Sequence, residues 1–289
     1  MSRIATGATP GVASASIARR AGTPTIGEIV SVVILLFLAV AAIMPSLLAP
    51  GDPLAISPVE AFQSPSLHHI FGTDESGRDV YTRVVHGAQS SLLIGVSATA
   101  IGMVLALLLG VLGGLGNRVV DFSVTRVNEV LFALPGLLLA LVFIAITGPG
   151  IVTSTIAVGL STAPGYARII RSQIRAVRGS AYVEAATVLG RSPGAILFRH
   201  TLPNAVAPVF VLATLGVGQS IVWASSLSYL GLGAVPPAAE WGAMLSAGRT
   251  YINVAWWMTV FPGLFIVLTA ASATALGRSI QARTRQEQR

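Results

Sequence analysis

The sequence predicts an all-α membrane protein with six transmembrane helices and a cytoplasmic helix–turn–helix loop, and three observations predict it. Of 289 residues, 53% are apolar and 10% charged, against about 25% charged in a soluble domain. The charges leave five long gaps, at 29–51, 84–117, 130–167, 200–239 and 250–277. Each exceeds the roughly 20 residues a helix needs to cross a bilayer. Finally, drawing six spans with both termini inside puts every Arg except Arg78, Arg83 and Arg249 on the cytoplasmic side, the asymmetry that sets membrane orientation. A seventh span would strand the C-terminal Arg cluster outside.

In chain order, residues 1–26 read as a disordered cytoplasmic tail rich in Ala, Ser, Thr and Gly, and 27–50 as the first span, closed by Pro50-Gly51-Asp52-Pro53. The run is too long for a signal-peptide core, so it reads as uncleaved. An extracytoplasmic loop fills 51–89, and five more spans make up a core over 90–277. Span two covers 90–114. The next gap divides at Thr147-Gly148-Pro149-Gly150, a turn signal, into a third span over 120–146 and a fourth over 151–167. Span five covers 205–230, with Gly216 and Gly218 tolerated inside it, and span six 255–276. A short cytoplasmic tail, 278–289, follows. Arg126 and Glu129 read as a structural pair. Trp241, Trp256 and Trp257 read as interfacial anchors.

The formal charge of +7 does not point to nucleic acid, because the Arg are spread between spans instead of forming one patch. The absence of Cys removes disulfides, thiolate metal sites and Cys nucleophiles from this chain. H-E-x-x-H is absent, the spans hold no Asp pair, and His68, His69, His86 and His200 are too scattered for a metal set. No catalytic residue and no metal site is expected. His68-His69 reads as loop surface.

Two hydrophilic segments are large enough to carry function. The inner one, 168–204, has six Arg and one acid, Glu184. Ser180 is placed to cap a helix over 181–189, which Gly190 would end in a left-handed conformation. Ser192-Pro193 opens a second helix to about Thr201, and Pro203 interrupts the pattern before span five. Tyr182, Ala185, Ala186 and Leu189 share one face of the first helix, and Glu184 lies near its positive end. Such an element suits either the lipid headgroup surface or a groove on a partner protein. The outer segment offers Asp74, Glu75, Arg78 and Asp79 for contact with a substrate-delivery protein; Asp74 and Arg78 equally suit a local ion pair.

Glu184-Ala185-Ala186, Gly190-Arg191, then His200 and Leu202-Pro203 resemble the EAA loop of ABC-transporter permeases. Phe71-Gly72-Thr73-Asp74-Glu75-Ser76-Gly77-Arg78-Asp79, His200-Thr201-Leu202-Pro203-Asn204, Ser228-Tyr229-Leu230-Gly231-Leu232-Gly233, Glu240-Trp241-Gly242 and Phe261-Pro262-Gly263-Leu264 narrow the resemblance to the dipeptide/oligopeptide (nickel) import family, in particular its second, C-type permease. The pattern usually has Ile where this chain has His200, and the end of span six lacks the family's acid and Asn.

The resemblance implies a transport subunit, not an enzyme, of a peptide importer in the cytoplasmic membrane. A second permease subunit, separate ATPase subunits holding ATP and Mg, and an extracytoplasmic binding protein would be its partners, along with membrane lipid. ATPase coupling would fall to Glu184, Ala185, Ala186, Gly190, Arg191, His200, Leu202 and Pro203. The chain has no phosphate-cradling G-x-x-x-x-G-K-[ST] loop and no ionisable residue in its span cores for a coupling ion, Asp121, Arg126 and Glu129 lying in the first turns of span three; to move solute actively it must borrow energy, and no cofactor of its own is expected. Relatives of this type also carry nickel chelates or glutathione. An autonomous channel or intramembrane enzyme would not account for the Glu184-to-Pro203 spacing.

Overall fold

The computed structural model describes residues 25–287, apart from the side chains at 193, 200, 202, 204–208, 210 and 284–287. The expected tail 1–26 lies outside the described residues but for Thr25 and Ile26, as do the last two residues of 278–289.

Every described regular element is helical. α1, Ile26–Ile43, opens with a reciprocal cap: the Thr25 hydroxyl accepts from the Glu28 N–H and the Glu28 carboxylate accepts from the Thr25 N–H. Each bond satisfies a donor that a helix start otherwise leaves bare. The helix stops at Met44, and Pro45 begins a single turn, α2, Pro45–Leu48. α3, Val80–Leu115, starts ten residues before the expected span because Asp79 caps it through the Thr82 N–H at 2.7 Å. Part of the expected outer loop is therefore the first turns of a 36-residue helix.

The third span departs most from expectation. It is two helices, α4, Arg118–Phe132, and α5, Gly136–Thr147, meeting at 88°. Pro135 lacks the N–H that would continue the first helix, and its ring clashes with the preceding turn. α6 then runs from Ile151 to Arg178. Its 28 residues span about 42 Å at 1.5 Å each, but its upper half is rich in hydroxyls. Ser154, Thr155, Ser161 and Thr162 donate back to carbonyls of their own helix, which satisfies them without water.

After the inner loop, described below, α9 covers Leu202–Tyr229, α10 Trp241–Gly248 and α11 Trp257–Glu287. Among the described residues, α1, α3, Val211–Tyr229 of α9 and Trp257–Arg283 of α11 are long and apolar enough to cross a membrane, with the bent α4–α5 pair as a fifth crossing if counted as one. α11 continues past the expected end of span six. Its Arg283 and Ser279 side chains both meet the Glu28 carboxylate, tying its C-terminal part to the start of α1.

The centre is the α3–α6 pair, with α9 against both. Small residues let the backbones approach. A β-carbon at Gly102 would sit 2.6 Å from Thr162 Oγ1 and 3.0 Å from the Gly159 carbonyl; one at Gly159 would sit 2.9 Å from the Ala98 carbonyl. In a membrane, where apolar side chains gain little by leaving lipid, such close packing is what holds helices together.

The outer segment packs as a cap on the helices. The Arg83 guanidinium, 6% exposed, donates to the carbonyls of Pro53 and Pro237, both at 3.1 Å, and lies 3.6 Å from Asp74. Trp241 is fully buried and donates to the Val84 carbonyl. Trp257, 5% exposed, donates to the Thr73 carbonyl. Neither is the interfacial anchor expected; of the three tryptophans only Trp256 is exposed. Each indole buries its body and still finds an acceptor for its N–H, so the core can hold it. Glu240, 2% exposed, caps α10 by accepting from the Gly242 and Ala243 N–H groups and the Ser91 hydroxyl.

Candidate functional site

The inner loop grows from the lower end of α6. Asp121, in the first turn of α4, takes Arg171 at 2.8 Å through its Nε and is also paired with Arg175; Arg178 donates to the Gly114 carbonyl at 3.0 Å. Three of the six loop Arg thus fasten α6 to α3 and α4. The fixed root is Gly179-Ser180. Ser180 has the extended backbone of a cap, but its hydroxyl donates to the Val177 carbonyl instead of accepting from the new helix. The hydroxyl thus adds a further bond to a carbonyl that already accepts from the Ser180 N–H, and the capping bond expected from the sequence does not form.

α7, Ala181–Val188, is a short helix with Glu184 in its first turn. Its closure is the one the sequence predicts. Gly190 has φ +73°, its N–H bonds to the Thr187 carbonyl at 3.0 Å, and the Arg191 N–H reaches back to the Ala186 carbonyl at 3.2 Å. This double bond pattern ends a helix through a left-handed residue. A β-carbon at Gly190 would touch nothing; the demand is on the dihedral alone.

The expected shared face is split. Ala186 turns inward with Val183, at 6% and 7% exposure. Tyr182, Ala185 and Leu189 stay exposed together with Glu184 and Val188. The outward surface is therefore small and apolar with one carboxylate at its N-terminal end. Arg191 is exposed beside the turn.

The second helix is shorter than expected and leads on without interruption. Ser192 caps α8, Pro193–Ile196, through the Ala195 N–H. A wide five-residue turn, Leu197–Thr201, carries the chain into α9, with Thr201 Oγ1 bonding to the Ile196 carbonyl. Pro203 occupies the first turn of α9, where a proline's missing N–H costs least. The side chains of His200 and Leu202 lie outside the described residues.

At the other end of the molecule, Asp74 and Asp79 turn inward. Asp74, 5% exposed, accepts from the Ser76 and Arg78 N–H groups and lies 3.6 Å from Arg78 and Arg83. Asp79 caps α3 and meets His69 at 2.9 Å. His69 is consequently fastened inside the loop and is not the free surface residue expected, whereas His68 is exposed. Glu75 and Arg78 line a cavity of about 320 Å³ with Pro236, Pro237 and Met244.

Nothing in the sequence pointed to the Asp121 anchor, whose partners lie 50 and 54 residues away. Arg83 gave a signal that was not used: a lone charge at the edge of a 34-residue uncharged stretch must be bonded if it is buried.

Residues 98–286 match the family described as the binding-protein-dependent transport system inner membrane component. The chain is 37% identical over 253 residues to a dipeptide transport system permease protein of Alkalihalophilus pseudofirmus, covering 88% of this chain and 83% of that one. It is 38% identical over 254 residues to a probable D,D-dipeptide transport system permease protein of Escherichia coli K12, covering 88% and 85%. A glutathione transport system permease protein of Escherichia coli O6:K15:H31 is 41% identical over 217 residues, covering 75% and 72%. Among solved structures, an inward-facing MetNI methionine ABC transporter aligns with TM-score 0.53 at 20% identity, over 69% of this chain and 95% of that one. An amino acid ABC transporter crystallised with histidines aligns with TM-score 0.58 at 16% identity, over 70% and 94%; both likenesses concern the fold.

Proposed function

The chain belongs to the family of inner membrane components of binding-protein-dependent transport systems, and from that premise we propose that it passes peptides inward, driven by ATPase subunits that engage α7. It is the permease subunit of an ABC importer and not an enzyme. The single observation that carries the docking assignment is α7 itself. A helix of eight residues, closed at its C-terminal end by Gly190 and standing on an ion-paired root, leaves Glu184, Ala185 and the following Leu189 exposed for a cytoplasmic partner.

The division of labour follows from the chemistry. Glu184 meets basic or polar groups of the ATPase. Ala185 permits close approach, and Ala186 seats the helix on its own protein. Gly190 and Arg191 form the turn, and His200, Leu202 and Pro203 hand the motion to α9. ATP and Mg belong to the partner subunits. A second permease completes the pathway, the binding protein delivers solute on the outer side, and both termini of this chain are cytoplasmic. On the outer side Asp74 and Asp79 hold the cap in shape, the Arg78 side chain is 11% exposed and paired with Asp74, and Glu75, which lines the cavity, is the charge of the four left for a delivery protein.

The test is Glu184→Arg in the assembled transporter in proteoliposomes. Uptake of a labelled dipeptide should fall at least tenfold while the permease pair still assembles; normal uptake would overturn the assignment. Glutathione, itself a tripeptide, is the second substrate reading, supported by the 41% identity to the glutathione permease, and competition between dipeptide and glutathione in the same vesicles separates the two.

A further inference from the structure

Halfway through the membrane segment the protein exposes polar groups that lipid would not tolerate. Gln219 is exposed and lies near the middle of the apolar stretch Val211–Tyr229 of α9. Polar side chains at that depth face a bundle interior or a water-filled cavity. The Tyr166 hydroxyl of α6 stands 3.5 Å from Gln219 Oε1, at the long limit of a hydrogen bond, so both groups keep most of their bonding capacity. The two share a cleft of about 250 Å³ with Phe132, Ser161, Thr162 and Trp223.

Backbone features shape the same cleft. Pro164 of α6 lines it and, having no N–H, leaves the helix one bond short at that level. The bend of 88° between α4 and α5 opens one wall. Gly216 makes room in the other: a β-carbon there would sit 2.8 Å from the Tyr166 hydroxyl. No carboxylate lines the cleft, and the nearby cation, Arg168, lies over the Phe132 ring at 4.5 Å. Neutral donors and acceptors on apolar walls suit neutral amides better than ions.

We propose that the Tyr166–Gln219 cleft is a mid-membrane station on the solute pathway, where the two side chains exchange hydrogen bonds with the amide groups of the passing solute. This rests on the permease reading above and adds the location and chemistry of the path. The rival occupant of the same face is a helix of the second permease, packed dry against it.

The chain has no Cys, so one introduced thiol reports without background from this chain. In the complete transporter, Gln219→Cys is treated with a permanently charged methanethiosulfonate, with Leu36→Cys as a control; Leu36 is exposed on the apolar helix α1. Labelling of this chain is read on a gel, without nucleotide and with ATP hydrolysis trapped, and denatured samples confirm that both thiols are present. The cleft predicts labelling at Gln219→Cys at least tenfold faster than at Leu36→Cys in one state, slowed severalfold in the other. Labelling as slow as the control in both states means lipid or a dry helix interface and overturns the proposal. Gln219→Leu should lower dipeptide uptake per ATP hydrolysed severalfold, with Gln219→Asn retaining most of it; unchanged uptake in Gln219→Leu also overturns it. Failure of the unaltered transporter to take up dipeptide would count against the substrate reading alone, because the labelling contrast does not depend on it.

Discussion

Asp121 and Arg171 lie fifty residues apart in the chain and meet side chain to side chain, with the guanidinium Nε donating to Oδ1 at 2.8 Å. The contact joins the start of α4 to the stretch of α6 that leads into the inner loop. Asp121→Asn keeps the shape and removes the charge that pairs with Arg171 and Arg175. It is expected to leave the helices folded and lower ATP-driven uptake severalfold. Combining Asp121→Arg with Arg171→Asp should recover part of the loss. Uptake measured in proteoliposomes beside thermal stability of the purified complex checks both halves; equal uptake in Asp121→Asn and the unaltered protein would remove the joint from the transport cycle.

Gly190 meets no neighbour where a β-carbon would stand, so its substitution separates backbone strain from crowding. Gly190→Ala should cost about 1 to 2 kcal/mol through the left-handed dihedral, a factor of roughly 5 to 30 in local opening. Gly190→Asn should cost less, since Asn enters that region more readily. Amide hydrogen exchange across 181–191 reports the opening directly, and equal exchange in the Ala and Asn variants would contradict the dihedral account.

Arg83 is the charge on which the outer cap depends. Arg83→Met removes two buried donors and leaves Asp74 short of a counter-charge. Losing one member of a buried pair typically costs about 3 to 5 kcal/mol. Arg83→Lys should rescue little, because an ammonium cannot reproduce the planar fork that reaches two carbonyls and a carboxylate together. Limited proteolysis of 51–79 in sealed, correctly oriented vesicles should show faster cleavage in both variants. Resistance in Arg83→Met would mean that the stacking of Phe71 on Phe261 at 3.9 Å and the Trp257 bond to Thr73 hold the cap without it.

At the α3–α6 contact, Gly102→Ala places a methyl 2.6 Å from Thr162 Oγ1. Overpacking of this kind costs about 1 to 3 kcal/mol. Thr162→Ala relieves the nearer clash, so the double variant should be more stable than the sum of the singles; additive losses in melting temperature would exclude direct contact.

Hydropathy made much of this architecture legible. The apolar gaps locate α1, α3, α9 and α11 because lipid-crossing helices need uninterrupted apolar length, and Gly190 announces its turn because few other residues adopt that dihedral cheaply. The direction of a run is another matter. The stretch 120–146 carries Asp121, Arg126 and Glu129 before Pro135 and only apolar residues after it, a contrast that says nothing of an 88° turn. Trp241 and Trp257 were misread for a related reason. A tryptophan near a predicted membrane boundary suits an interface, and only the carbonyls of Val84 and Thr73, far off in sequence, make burial better. The inward turn of Ala186 depends likewise on what lies beneath α7.

α6 is one unbroken helix from Ile151 to Arg178, with the Gly150 N–H at one end bonded to the Leu232 carbonyl in the loop between α9 and α10 and Gly179 at the other beginning the loop to α7. A rod about 42 Å long converts small angles into usable distances: tilting it by about 5° about one end moves the other by about 4 Å, more than the width of a water molecule. The loop before α10 and the loop that opens α7 are therefore geared together through a single element, and neither end can travel far without the other registering it.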